Sequence, residues 1–330
     1  MTCKARKTQQ LTHYHVIARA IARGNPFLAM QSIALAVRPI RNTSINRNLI
    51  ILDIGVAVGI MEERTLEVWK MREITLERYE CGQPQTIASR ALAAWLDATD
   101  TDRSYLPMMQ YRVAGKASGQ CRDIYYIAMQ DGRAVSRLWH GWGKHPNAVG
   151  NFGNFLTLEA LQGQGIGKKL LDAWYEDLNS CSDRPLGLFC SSLNGYRVEM
   201  YRRYGFTQAV ILPKASFLYK PLDNSPGNFR ELCEEYYCSA STLTVRPATV
   251  QWRHEVDCLL KYTLTDRGVK FGLPGCATLE EAIVWPERGA GQILFTEKNR
   301  PVGWSYTPTG GETVWQVHPK FQAQFEATCL

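Results

Sequence analysis

The sequence predicts an α/β fold, and three observations carry that prediction. Residues 124–129 and 134–139 are strand-like runs joined by Gln130-Asp-Gly-Arg133, and Asp-Gly is a strong hairpin signal. Residues 155–171 pass from an apolar run (Phe155, Leu156, Leu158, Leu161) through closely spaced glycines into a helical pattern. Strand-like and helix-like periods alternate on both sides of these two features.

In chain order, Arg72–Tyr79 alternates like an opening strand. Residues Thr86–Leu96 read as a helix with Ile87, Ala91, Leu92 and Trp95 on one side, broken by Asp97-Ala-Thr-Asp-Thr-Asp102. After the hairpin, Gly141–Gly153 reads as a loop leading to a central strand that starts at Phe155. The chain turns through Gln162–Gly167, and Ile166, Leu170, Leu171 and Trp174 then follow at helical spacing. Leu186–Cys190 reads as a strand, and Thr207–Pro213 with Ser216–Leu222 reads as a strand pair.

A strand that runs through glycines into a helix start is suited to an anion. The first N–H groups of the helix lack partners within it, and its dipole places about +0.5 charge there. Glycine lets the backbone approach a phosphate without a Cβ in the way. A glycine-rich turn with no ligand would have the same residues, so the spacing must decide. The nucleotide P-loop is excluded by Gln162 at its first glycine position and Lys169 at its hydroxyl position. The dinucleotide fingerprint is excluded by Lys168 at its third glycine position.

The pattern that fits is Q-x-x-G-x-G, met by Gln162, Gly165 and Gly167, which resembles the acetyl-coenzyme A pyrophosphate loop of the GNAT superfamily of N-acetyltransferases. A second stretch, Asn194-Gly-Tyr-Arg-Val-Glu-Met-Tyr201-Arg-Arg-Tyr-Gly205-Phe206, resembles the later motif N-x-x-A-x-x-x-Y-x-x-x-G-F of the same superfamily. Arg197 departs from it, standing where alanine is usual. The resemblance covers residues 70–222. It implies a mixed, mostly antiparallel sheet flanked by helices and split between its fourth and fifth strands. The pantetheine arm would enter that split and pair with backbone at Leu156, Thr157 and Leu158. Coenzyme phosphates would be held by Gln162, Gly163, Gln164, Gly165, Ile166, Gly167 and Lys168, with Asn194 beside the arm.

Acetyl transfer to an amine needs a free lone pair. Deprotonating a lysine-like ammonium at neutral pH costs roughly 4–5 kcal/mol from a pKa near 10.4. A base must take that proton, and an acid serves the departing thiolate. The resemblance assigns the acid to Tyr201, whose alternative is a packed aromatic. Glu159 is the one carboxylate of the Phe155–Leu171 stretch and the candidate base, with a capping or surface role as its alternative. Backbone N–H groups of the central strand would meet the oxyanion. No covalent enzyme intermediate is required. Asp97, Asp100 and Asp102, near Trp95 and Tyr105, are candidates to hold a cationic acceptor, or else form a solvated loop. Trp139, His140 and Trp142 would suit a pocket wall or a core.

Composition narrows the partners. Of 38 basic residues, eight lie in residues 1–52, which contain no acid, leaving 30 against 31 Asp and Glu. The body of the protein is therefore near neutral and predicts no nucleic-acid partner. Residues 1–65 form a basic extension: a dispensable or misassigned start (Met61 and Met71 both lie just before the first domain strand), a transit peptide, or a functional arm. The apolar run Leu49–Met61 is too short to span a membrane and contains Asp53. No secretory pattern is present, so the expected location is cytoplasmic and the ten cysteines are expected to be free thiols. None pairs as C-x-x-C, the six histidines are scattered, and no metal site is expected.

Asp223–Asn228 reads as a linker, with residues 223–240 joining the domain at 66–222 to a last segment, 241–330. There, Thr242–Thr249 resembles an opening GNAT strand, Trp252–Leu264 a helix, and Gln292–Tyr306 a hairpin. Residues Val314–Ala327 resemble a strand and loop with Phe325 where glycine belongs. The expectation is a partial, degenerate GNAT-like half-domain that stops before its loop helix, packs on the first domain or on a second copy, and binds no coenzyme. The alternative is an unrelated α/β appendage. The predicted function is acetyl-CoA-dependent N-acetylation of an amine on a small molecule, peptide or protein, in a ternary complex, from a chain that could form a homodimer. Its rival is a non-catalytic CoA-binding or scaffold protein. A nucleotide hydrolase is disfavoured by the loop spacing.

Overall fold

The computed structural model describes residues 73–98, 106–193, 195–213, 215–222, 225–260 and 282–329. The basic extension with Met61 and Met71, and also Asp100, Asp102, Tyr105 and Asn194, lie outside the described residues. In chain order the first seven strands are β1 (Thr75–Glu80), β2 (Cys121–Gln130), β3 (Arg133–Gly143), β4 (Gly150–Thr157), β5 (Gly187–Leu193), β6 (Thr207–Ile211) and β7 (Ala215–Pro221). They form one sheet in the order β1-β2-β3-β4-β5-β7-β6. All its neighbours are antiparallel except β4 and β5, which are parallel. This is the mixed α/β architecture expected of the sequence.

Local chemistry accounts for the elements. The β2–β3 turn places Asp131 and Gly132 at φ 51° and 73°, the left-handed pair that a two-residue hairpin of matching twist requires. Helix α1 (Ile87–Asp97) starts at a reciprocal cap: the Thr86 hydroxyl accepts from Ser89 N–H (3.1 Å), and Thr86 N–H donates to Ser89 Oγ (2.8 Å). A second helix, α2 (Leu106–Val113), follows, its bounds unmarked in the sequence. Together α1 and α2 cover Tyr125, Ile127, Met129 and Trp139 on one face of the sheet. Helices α3 (Ile166–Ser180) and α4 (Tyr196–Arg202) cover Tyr126, Leu138, Phe152, Cys190 and Leu218 on the other.

The central strand differs from the sequence expectation. It begins at Gly150, and β3 extends to Gly143, so glycines read as loop lie inside strands. They mark close approach: a Cβ on Gly141 would collide with Asp123, and one on Gly150 with Leu188.

A second sheet is built from β8 (Leu243–Pro247), β9 (Gly289–Thr296), β10 (Pro301–Pro308) and β11 (Val314–Val317) in the order β11-β10-β9-β8, antiparallel throughout. Helix α5 (Phe229–Tyr236), capped by the Asn228 side chain accepting from Glu231 N–H (3.0 Å), leads to it. The two sheets share one core. Phe189, Val210, Phe217 and Tyr219 of the first meet Ile293, Phe295, Val302 and Trp304 of the second, with Leu232 and Tyr236 of α5. Each such side chain stabilises the contact by about 1.5–3 kcal/mol.

The helix expected from Trp252 is present, as a 3-10 turn at Val250–Trp252 that runs on through residues 253–254 into a π-helix at Glu255–Leu260, while residues 261–264 lie outside the described residues. One tail expectation changes. After β11 the chain does not end in a loop. A 3-10 turn at Pro319–Phe321 runs into helix α6 (Gln322–Cys329). Gln-Ala-Gln-Phe-Glu-Ala has no residue favouring positive φ, so nothing breaks the helix. Phe325 is buried on it, 4.9 Å from the Trp315 ring.

Six described cysteines (81, 121, 181, 190, 233, 238) are free thiols. Among the described residues no helix is long and apolar enough to cross a membrane, and no cluster of metal-ligating side chains occurs.

Candidate functional site

The sheet opens between β4 and β5. Their parallel pairing is confined to Gly150 with Leu188 and Asn151 with Phe189, although β4 continues to Thr157 and β5 to Leu193. β5 stays paired with β7 from Gly187 to Leu193, so the divergence belongs to the β4 side. A bulge lies there: Trp139 pairs with Gly153 and Arg137 with Leu156, so β4 carries an extra residue, and Asn154 sits at φ 55°. A Cβ on Gly153 would meet nothing within 4 Å, so there is open space at the bulge.

Above the opening, β4 is held from the β3 side. The Ser136 hydroxyl donates to the Leu156 carbonyl (3.1 Å) and lies 2.7 Å from Thr157 Oγ1, and Leu158 N–H donates to the Val135 carbonyl (3.0 Å). Ser136 is fully buried and was not marked by the sequence, because a serine inside an alternating strand carries no motif. Gln162 Nε2 donates to the Thr157 carbonyl (3.1 Å), fixing the loop to the strand end.

The loop is a left-handed double turn, with Gly163 at φ 79° and Gly165 at φ 78°. A Cβ on either would meet nothing within 4 Å, whereas one on Gly167 would lie 2.9 Å from Phe155 Cζ. Gly163 and Gly165 thus supply backbone conformation and open space, and Gly167 lets α3 close on β4. Gly165 gives α3 no side-chain cap, and the helix's first bond runs from Lys169 N–H to the Gly165 carbonyl (3.1 Å). The N–H groups ahead of Lys169 have no partner in the helix. This uncapped terminus beside glycine-made space fits a pyrophosphate.

The other expected residues fall as follows. Leu156 and Thr157 stand on the diverging half of β4, and Leu158 is exposed just beyond it. Gln164 and Ile166 stand in the loop and at the head of α3, with Ile166 buried. Exposed Lys168 pairs with Asp172 (2.6 Å), which also accepts from the Tyr204 hydroxyl (2.8 Å). Glu159 is exposed and starts a 3-10 turn, Glu159–Leu161, rather than ending the strand. Arg197 is exposed on α4. Asp97 is exposed and accepts from Gln110 Nε2 (2.8 Å), which ties α1 to α2.

Tyr201 lies on α4 with its ring buried, edge-on to Phe152 (5.6 Å) and Phe206 (5.9 Å). Its hydroxyl makes no hydrogen bond among the described residues. Burial, with the Cys190 thiol nearby, pushes its pKa well up, against a smaller opposing effect of Arg197, so the phenol keeps its proton at neutral pH.

Trp139, His140 and Trp142 are core. Each is at most 4 % exposed. Trp139 Nε1 donates to Asp123 Oδ1 (3.0 Å), and His140 Nδ1 accepts from Trp174 Nε1 (3.2 Å). Burial pulls the His140 pKa down to about 3, and it stays neutral.

The opening between two parallel strands and the glycine loop at a helix start together form the candidate site. Residues 121–208 match the family model described as an acetyltransferase (GNAT) domain, and the chain carries a GNAT domain there. An acyl-CoA N-acyltransferase from Pseudomonas aeruginosa is similar at 16 % identity over 45 % of this chain and 99 % of its own, with a TM-score of 0.34. A GNAT-family acetyltransferase from Streptococcus pneumoniae is similar at 14 % identity over 46 % and 100 %, with a TM-score of 0.34. The NatC complex bound to Gag peptide and CoA is similar at 15 % identity over 46 % and 99 %, also with a TM-score of 0.34. No curated protein matches the sequence.

Proposed function

We propose that this protein is an acetyl-CoA-dependent N-acetyltransferase acting on a primary amine in a ternary complex. The observation that carries the reading is the β4–β5 opening, which begins just beyond Asn151–Phe189 and leads up to the uncapped start of α3. Backbone of β4 from Gly153 to Thr157 is unpaired on its β5 side and would bind an amide-bearing pantetheine arm as an added strand binds. Gly163 to Lys168 would hold the pyrophosphate. The acetyl-CoA thioester supplies the acyl group.

The chain's own residues then have three tasks. A base must free the amine's lone pair, and Glu159 remains the candidate, acting through water from its exposed turn. N–H groups at the β4 bulge would meet the developing oxyanion. The Tyr201 phenol, kept protonated by burial, would pass its proton to the departing sulfur. The second sheet is read as a GNAT-like half that binds no coenzyme. Its strands, 3-10 turn and helix repeat the order of β1–β4, the Glu159–Leu161 turn and α3, but α6 has buried Phe325 where a glycine would leave space. The test is calorimetric titration with acetyl-CoA, followed by thiol release across a panel of amines, peptides and proteins. No acetyl-CoA binding would refute the reading, and binding without turnover would leave a coenzyme-binding scaffold.

A further inference from the structure

The segment between β8 and β9 makes a buried polar contact with the first domain. Glu255 is 1 % exposed, yet it comes from the tail and reaches the connection between β3 and β4. Its Oε1 accepts from Val149 N–H (3.0 Å) and lies 3.0 Å from His145 Nε2. Trp252 stacks on the His145 ring at 3.9 Å between centroids. A Cβ on Gly143 would collide with the Gln251 carbonyl, so glycine there is what lets this segment in.

Val149 immediately precedes Gly150, the first of the two residues at which β4 touches β5. The carboxylate therefore grips the chain at the vertex of the coenzyme opening. A buried carboxylate is costly unless paired and hydrogen-bonded, and here both partners come from that vertex.

We propose that Glu255 is a positioning residue: through Val149 and His145 it fixes the vertex of the β4–β5 opening, so that the tail sets the coenzyme affinity of the first domain. This rests on the coenzyme reading of the opening. It makes affinity depend on pH through one group. Burial opposes a charge on His145, but the Glu255 carboxylate outweighs it, and the imidazole pKa lies above its ordinary value. Arg112 of α2 and Arg253 are charged neighbours of the pair, and burial drives His254 far below its ordinary value, with those two arginines adding to it. The Cys121 thiol is pushed up to about 12 and the Tyr236 phenol well above its usual range, both chiefly by burial. Burial raises the Asp123 carboxyl above its ordinary value, against the opposing Arg112 guanidinium, and Asp257 completes the acidic neighbours.

The contact is thus fully formed below the ordinary histidine pKa and is lost as pH rises through the raised one. The experiment is calorimetric titration of the full chain with acetyl-CoA from pH 6 to 8.5, for the wild type, Glu255→Gln and Glu255→Ala. Wild-type affinity should fall roughly tenfold across that range. Glu255→Gln should be weaker at pH 6 and show a flatter profile, and its His145 ring protons should titrate at lower pH by NMR. Glu255→Ala should be weakest, with a raised KM and a smaller change in kcat. A wild-type profile matching that of Glu255→Gln overturns the inference, even if Glu255→Ala fails to fold. Absence of acetyl-CoA binding by the wild type at every pH refutes the coenzyme reading instead.

Discussion

Gln162 Nε2 donates to the Thr157 carbonyl at 3.1 Å, and this one bond joins the glycine loop to the last residue of the diverging strand. The loop's N–H groups and the strand's free edge are thereby held in one frame. On the proposed function, a coenzyme spanning both would meet a site already formed, which lowers the ordering cost of binding.

The glycines of that frame fail for different reasons when replaced. Gly165→Val forces a β-branched residue to φ 78°, at a cost of about 1–2 kcal/mol, and fills the open space. Gly167→Val drives a Cβ to 2.9 Å from Phe155 Cζ, so the Phe155 ring beside the loop must shift. Both should weaken acetyl-CoA binding at least roughly tenfold by calorimetry. Unchanged affinity in both would remove the coenzyme from the loop.

Tyr201→Phe should lower kcat roughly 10²-fold or more and leave coenzyme affinity unchanged, if the phenol acts only in the transition state. Stability should also hold, because the hydroxyl has no hydrogen-bond partner among the described residues. Equal kcat under chemistry-limited conditions would take Tyr201 out of the mechanism.

His140 should make the fold sensitive to mild acid. Its folded pKa is about 3 against an ordinary value of 6.5, so on acidification the unfolded chain takes up the proton first. The stability it contributes is complete above pH 6.5 and is lost progressively as pH falls from there towards 3. Urea unfolding at pH 7.5, 6 and 5 should show that decline. His140→Asn should start lower and decline less, and parallel slopes would assign the acid sensitivity elsewhere.

Phe325→Ala should cost about 3–5 kcal/mol, because the ring is buried in a core that also holds Phe189 and Tyr219 of the first sheet. The loss should appear as a single transition at lower Tm for the whole of residues 72–330. The tail expressed alone should be insoluble, since its half of the shared core would face water. Two separate transitions, or a soluble isolated tail, would mean the sheets fold independently.

The two halves of the site were unequally legible. The glycine loop could be read because it needs rare residues at fixed offsets: only glycine takes φ near 79° cheaply, and Gln162 must stand where it reaches Thr157. The hairpin at Asp131-Gly132 was legible for the same reason. Asn194 was marked by its motif, but it lies outside the described residues. Ser136, the bulge at Asn154 and the Glu255 contact left no trace in spacing, because each depends on which residue lies opposite in another strand.

Sequence alone determined the class of fold, the family resemblance, and the glycine turn ahead of α3, all of which rest on local backbone rules and short-range periodicity. Tertiary structure decided where β4 begins, that Trp139 and His140 are core rather than pocket, that Phe325 sits on a helix, and that the tail shares a core with the first sheet. Those outcomes depend on burial and close approach between residues distant in sequence, as when Gly141 makes room for Asp123 or Gly143 for Gln251. A chain's periodicity is the same whether or not such a partner arrives, so only the folded arrangement fixes them.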